Sequence, residues 1–264
     1  MRCEIASERL FTVVKSLNQF DQQKIRGVVG GLLSKTDRDQ CFVGIYYRAK
    51  ANVESMLSLK YVKDVQASLM LARSLFELAI DMELIDVIQD AVKKIASFSE
   101  VERLRAARRI VAFRVAHPNS ASAEPTHSDF VRNNAVRIES EQIALWPGVK
   151  KVSHWSGLDL RARATLLKDP FDEIYDMKYA ELSWYTHAAG LTGFNLKSET
   201  YPILQATAFE LAARCYVILL TAVIDEFGLS KAVPGVKNHL DYARKVPWTD
   251  SDEQVEALRQ ALLD

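Results

Sequence analysis

Neither sign of charge prevails in this chain: 34 lysines and arginines stand against 34 aspartates and glutamates over 264 residues, a formal net charge of +0. That balance excludes a globally basic nucleic-acid binder, so any basic surface must be local. Cysteine is scarce. Cys3, Cys41 and Cys215 are odd in number, far apart and in no CxxC pair. They argue against a disulfide framework and a zinc cluster, and read as reduced thiols. Long apolar runs are also missing. The longest, Cys215 to Ile224, is closed by Arg214 and Asp225 and is half of the roughly 20 residues a membrane-spanning helix needs. Near the start, Glu4, Ser7, Glu8 and Arg9 break up what would be the apolar part of an export signal. These absences lead us to expect a cytoplasmic protein with no membrane partner.

What is present is material for a core. Hydrophobic residues make up 48% of the chain, and a chain of this length buries roughly three quarters of its unfolded surface. The apolar period is helical almost throughout, without convincing strand alternation or a hairpin dipeptide, so the expected class is all-α. We expect one domain, a bundle of about ten helices with a buried polar centre. Helices are predicted near 4–19, 22–34, 37–59, 61–90, 99–116, 128–144, 159–168, 171–189, 200–227 and 251–263. Ser99 and Ser251, each followed by acidic residues, suit N-caps. Pro147-Gly148 and Pro234-Gly235 should turn the chain. The segment 117–128, HPNSASAEPTHS, is small, polar and twice interrupted by proline, and should be a flexible connection between an N-terminal and a C-terminal half.

Two polar stripes interrupt this apolar pattern. In the helix predicted over 61–90, Arg73, Glu77 and Asp81 recur every fourth residue, within about 80° of arc. Charges on a buried helix need partners, because an unpaired one costs several kcal/mol. Three readings stand: a structural clasp around Arg73, a pocket where Glu77 and Asp81 serve as acid, base or ligand anchor, or a stripe simply facing solvent. The second stripe is Tyr175, Tyr179, Ser183 and His187, also every fourth residue. It ends in a side chain that titrates near neutrality. His154, Trp155, Arg161 and Arg163 arrive just upstream. Histidines, tyrosine hydroxyls and arginines together suit a phosphate or nucleotide ligand. In the helix over 200–227, Glu210 and Arg214 form a further i, i+4 pair amid apolar neighbours, with Arg73–Glu210 and Glu77–Arg214 as natural cross-pairs. A plain structural ion-pair network is the alternative here too.

The run His154-Trp155-x-Gly157, then Arg161 to Arg163, then Tyr175, Tyr179, Ser183 and His187, with Arg73 to Glu77 about eighty residues earlier, resembles a bacterial all-helical family of unknown function. The resemblance covers about residues 40–225. It implies a helical fold and a shared polar centre, and it names no substrate.

Sharper chemistries find less support. Helical ribonucleases of the HEPN type place Arg and His four to six residues apart, whereas Arg109 and His117 have seven between them and Arg114 and His117 have two. A HEPN-like bundle then requires a divergent site using His187. Glu124 to His127 is the one Glu-x-x-His spacing, and it lies in the proline-containing segment, which removes a di-iron bundle. P-loop, nucleophile-elbow and zincin motifs are absent. The acidic group Asp169, Asp172, Glu173 and Asp176 is better explained as helix-start acids than as a metal site. From 91 to 117, seven lysines and arginines oppose Glu100 and Glu102. Arg105, Arg108 and Arg109 share a face suited to phosphate contact, against the simpler reading of a solvated surface.

The leading expectation is a bacterial intracellular effector of stress or phage defence. It would act on RNA or a nucleotide, with His187 as general acid and base, Glu77, Asp81, Ser183 and Tyr179 beside it, and Arg73 or Arg161 holding phosphate. The competing expectation is a non-catalytic interaction protein or scaffold, binding a protein partner or its own copy, whose buried charges set packing. No cofactor is indicated by any motif.

Overall fold

The computed structural model describes residues 2–31, 36–59, 64–118, 126–180, 182–183, 200–231, 235, 238, 240 and 251–263. Among them every regular element is helical, as expected. In chain order these are α1 (Arg2–Phe20), a π-helical turn (Asp21–Ile25), α2 (Arg26–Gly31), α3 (Asp37–Ser58) and α4 (Val65–Val87). Then come α5 (Ala91–Ala116), α6 (Thr126–Leu145), α7 (Leu160–Leu167), α8 (Phe171–Ile174) and a second π-helical turn (Tyr175–Tyr179). α9 (Tyr201–Glu226), a 3₁₀ turn (Leu229–Lys231) and α10 (Asp252–Leu263) complete the series.

The chain divides into two compact units, one of residues 1–83 with 164–264 and one of residues 84–163. The divide expected at 117–128 is therefore misplaced. That stretch lies between α5 and α6, which pack on each other within the second unit, and Thr126 already begins α6.

Local chemistry explains several helix starts. Thr36 opens α3 with a reciprocal cap: its hydroxyl accepts from the Asp39 amide at 3.1 Å and its own amide donates to the Asp39 carboxylate at 3.0 Å. Ser251 caps α10 as expected, its hydroxyl accepting from the Gln254 amide at 3.2 Å. Ser99 is a correction. It lies inside α5, which starts at Ala91 after a left-handed Asp90, and its hydroxyl donates back to the Ala96 carbonyl at 2.7 Å. A helix-interior serine bonding the preceding turn looks like a cap in sequence, because the same side chain serves both uses.

In the first unit α1 packs on α9, α3 and α10, and α9 packs on α3. Val13, Val14, Leu17 and Phe20 of α1 are wholly enclosed, as are Leu211, Ala212, Cys215, Tyr216, Leu219 and Leu220 of α9. Phe11 meets Phe209 edge-on with ring centroids 5.4 Å apart, and Ser7 donates to Gln205 at 3.1 Å. A bidentate bond ties α3 to the end of α9, both Arg38–Glu226 contacts being 2.7 Å. α9 is long and apolar enough to cross a membrane, with mean hydropathy 1.7 over an 18-residue window, and 72% of that window is buried inside the protein. The ten-residue run read from the sequence understates this helix, since the flanking small residues extend its apolar surface. Cys41 and Cys215 are free thiols, and burial pushes the Cys215 thiol well up.

In the second unit Val101, Leu104, Ile138, Trp146 and Val152 form a core on which Phe98, Phe130, Val131, Ala135 and Leu145 pack. Gly148 turns the chain after α6 with φ of 79°, a conformation that glycine adopts without strain.

Candidate functional site

The two stripes meet through Tyr179, a member of the second. Along α4, Leu69, Ala72, Leu75, Phe76, Ala79 and Ile80 are fully enclosed, while Arg73, Glu77 and Asp81 run half-buried along the edge of that face. The Arg73 Nε donates to Glu77 Oε1 at 2.9 Å. Its guanidinium lies over the Tyr179 ring, 5.0 Å from the centroid, and the Tyr179 hydroxyl donates to the same Glu77 oxygen at 3.3 Å. Tyr179 in turn stacks on Tyr175 with centroids 5.0 Å apart and 14° between planes, and it abuts Phe76. Arg73 is thus held at one edge by a carboxylate and on one face by an aromatic ring. Its Nη1 is buried and has no hydrogen-bond partner.

The second half of the site is one residue away. Lys178 Nζ donates to Glu210 Oε2 at 2.8 Å, and Arg214 Nη2 pairs with Glu210 Oε1 at 2.8 Å. Neither expected cross-pair, Arg73–Glu210 or Glu77–Arg214, forms: Arg73 and Glu77 pair along α4, Glu210 and Arg214 along α9. What links the α4 stripe to the Glu210–Arg214 pair is the second π turn, whose consecutive residues Tyr179 and Lys178 reach α4 and α9 respectively. A π turn holds an extra residue in the helical circuit, shifting the faces that follow, and such turns recur at functional sites. Nothing in a pattern of every fourth residue announces that shift, so Lys178 was not singled out.

Electrostatics assigns states to these groups. Burial, and then the Glu77 charge, push the Tyr179 phenol up to about 12 against the opposing pull of Arg73, so at neutral pH it is a donor rather than a base. Burial acts to raise the Glu210 carboxyl, yet hydrogen bonds and charge from Lys178 and Arg214 outweigh it and hold it below its ordinary value. Ser183 and Asp81 are half-buried. His187, the expected acid and base, lies outside the described residues.

His154, Trp155, Arg161 and Arg163 belong to different surroundings. The Arg163 guanidinium, 6% exposed, donates to His154 Nε2 at 2.9 Å. An arginine only donates, so Nε2 accepts; the other ring nitrogen, Nδ1, accepts from the Ser156 amide at 3.2 Å and lies 2.9 Å from the Ser156 hydroxyl. Trp155 is 5% exposed, and its carbonyl accepts from the Trp146 indole at 2.8 Å. Gly157 has φ of 78°, and a Cβ there would stand 3.0 Å from Trp146 Cδ1. This constellation knits the loop after α6. Where a ligand site was expected at His154, Trp155 and Arg163, the structure shows His154 bonded to Arg163 and Ser156 and Trp155 buried, bonds that hold the loop. Arg161 is exposed.

The basic face on α5 is also largely occupied. Arg105 pairs with Glu102 and donates to the Val152 carbonyl at 2.6 Å, and Arg108 pairs with Glu139 at 2.6 Å. Arg109 is exposed. Counting charges along α5 alone overlooked α6, which supplies Glu139 to Arg108 and Arg137 to Glu100.

A second polar cluster was missed altogether. Asp21, wholly buried in the first π turn, accepts from the Tyr46 hydroxyl at 2.5 Å, the Tyr216 hydroxyl at 2.9 Å and Lys50 Nζ at 3.0 Å. Lys50, 4% exposed, also lies 3.2 Å from Glu54. Burial and the Asp21 charge drive both phenols far above their ordinary value. The available signal was Tyr46 and Lys50 at i, i+4 within the apolar stripe of Phe42, Ala49 and Val53. With Asp21, Tyr46, Lys50 and Tyr216 all buried, this cluster is a joint between the first π turn, α3 and α9 rather than a ligand site.

Among the described residues no group of three or more His, Cys, Asp or Glu is gathered to hold a metal ion. No protein-family profile, no curated protein and no solved structure matches the chain.

Proposed function

We propose that the protein binds a phosphate-bearing ligand, RNA or a nucleotide, at the Arg73–Glu77–Tyr179 cluster, and acts on it with His187 as general acid and base. The observation that carries this reading is the Arg73 Nη1, buried and without a partner, on a guanidinium whose position is already set by Glu77 and Tyr179. A buried donor left unmade costs about 1–3 kcal/mol, and a preset arginine edge is what a phosphate oxygen pairs with best. Tyr179, protonated at neutral pH, donates beside it. Lys178 and Arg214 add positive charge on the α9 side. His187 follows Tyr179 by eight residues. A HEPN-like site built on it is the ribonuclease form of this proposal. Its setting in a bacterial cell, as a stress or phage-defence effector, rests on the sequence reading alone.

The scaffold reading is favoured by a different observation: Glu77 is paired with Arg73, and Glu210 with both Lys178 and Arg214, as a clasp running from α4 through the second π turn to α9 would be. Binding of single-stranded RNA and of a nucleoside triphosphate at low salt, with Tm measured alongside, separates the two. Arg73→Gln should weaken binding at least about tenfold. It should move Tm by only about 1–2 °C, because a part-exposed i, i+4 pair contributes about 0.3–0.5 kcal/mol. His187→Ala should abolish turnover with Tm nearly unchanged. No binding of either ligand by the unmodified chain, with Tm falling in both variants, would establish the scaffold instead.

A further inference from the structure

A cleft of about 150 Å³ opens in the second unit where α5 meets the beginning of α6, lined by Arg103, Ala106, Ala107, Thr126, His127 and Phe130. It is separate in residues and chemistry from the Arg73 cluster. Two groups in it have unspent capacity. Arg103 lies flat on the Phe130 ring, 4.4 Å from its centroid, and has no carboxylate partner among the described residues. The acids near it are engaged elsewhere: Glu102 by Arg105, Glu100 by Arg137 and Asp129 by Arg132. His127 has its Nδ1 buried and without a hydrogen-bond partner. A stacked guanidinium keeps its N–H groups in the plane of the fork, where they meet an oxyanion edge-on. The imidazole nitrogen can complete such a site as a second donor. The volume sets the size of the guest. Pockets for whole drug-sized molecules are roughly 300–1,000 Å³, so this cleft holds a single group.

We propose that this cleft binds one phosphate group, gripped by Arg103 and His127, with the Phe130 ring as its apolar wall. The phosphate arrives as the free anion or as the end of a phosphomonoester. The test is a titration of the full chain at low salt with inorganic phosphate, a nucleoside monophosphate and the matching nucleoside, followed through the His127 imidazole resonances in NMR. Phosphate and the monophosphate should give saturable shifts at about millimolar concentration, the range for a group held by a few charge-assisted bonds, while the nucleoside gives none. Tighter binding of the monophosphate identifies a phosphomonoester as the guest, and equal binding identifies the free anion. Arg103→Gln should weaken binding at least about tenfold. His127→Ala, followed by calorimetry, should weaken it several-fold, and Arg73→Gln should leave it unchanged. Since Arg103 is exposed and its variant loses only a surface stacking contact of about 0.5–1 kcal/mol, Tm should fall by no more than about 4 °C. An equal response to the nucleoside, no saturation, or unaltered affinity in Arg103→Gln overturns the proposal. Loss of binding in Arg73→Gln instead would assign the phosphate to the other cluster.

Discussion

Replacing Asp21 by alanine should unfold the first unit at markedly lower temperature, and the size of the effect follows from its surroundings. The carboxylate is 0% exposed and holds three donors: the hydroxyls of Tyr46 and Tyr216 and the ammonium of Lys50. Removing it strands a lysine that is 4% exposed, and breaking a buried ion pair from one side costs roughly 3–5 kcal/mol. Glu54 stands 3.2 Å from the same ammonium and is itself 45% exposed, so Lys50 keeps a second, weaker partner. That places the expectation near 3 kcal/mol, a fall in Tm of roughly 6–12 °C for a chain of this size. The same argument demands non-additivity. Lys50→Met alone strands the carboxylate, whereas Asp21→Asn with Lys50→Met removes both charges and leaves the tyrosines an acceptor. The double variant should recover at least about 2 kcal/mol relative to the sum of Asp21→Asn and Lys50→Met taken singly. Urea denaturation followed by circular dichroism measures all four corners of the cycle. If the single variants add, or if Asp21→Asn costs under about 1 kcal/mol, the cluster is not the buried electrostatic joint described here.

The same two phenols make stability depend on alkaline pH. Their folded-state values lie above the unfolded value near 10, so their contribution is complete below pH 10 and is lost as pH rises beyond it. The slope should be about 1.4 kcal/mol per pH unit for each tyrosine, and urea titrations at successive pH values should show it halved in Tyr216→Phe; an unchanged slope would refute the assignment. Gly157→Ala should destabilise the second unit more than Gly148→Ala. Both positions have positive φ, costing about 1–3 kcal/mol, but only at Gly157 would the new Cβ meet a fixed neighbour, Trp146. Equal shifts in Tm for the two variants would show that the indole yields.

Some of this molecule is written in local spacing. The all-α class follows from an apolar period that needs no partner to be read, and the Ser251 cap and the turn at Gly148 act within a few residues of themselves. The i, i+4 spacing of Arg73 with Glu77 and of Glu210 with Arg214 was also legible, because the rise and pitch of a helix determine which side chains are neighbours, although the cross-pairs expected between the two helices do not form. Partners across the fold were another matter. Lys178 and Tyr179, consecutive in a π turn, reach Glu210 of α9 and Glu77 of α4, Asp21 finds Tyr216 across 195 positions, and an acid that answers an α5 arginine comes from α6. Those pairings depend on how helices stack after the chain has closed on itself. Since burial and opposite charge reward many alternative stackings of one linear pattern, tertiary packing alone decided which of these groups met.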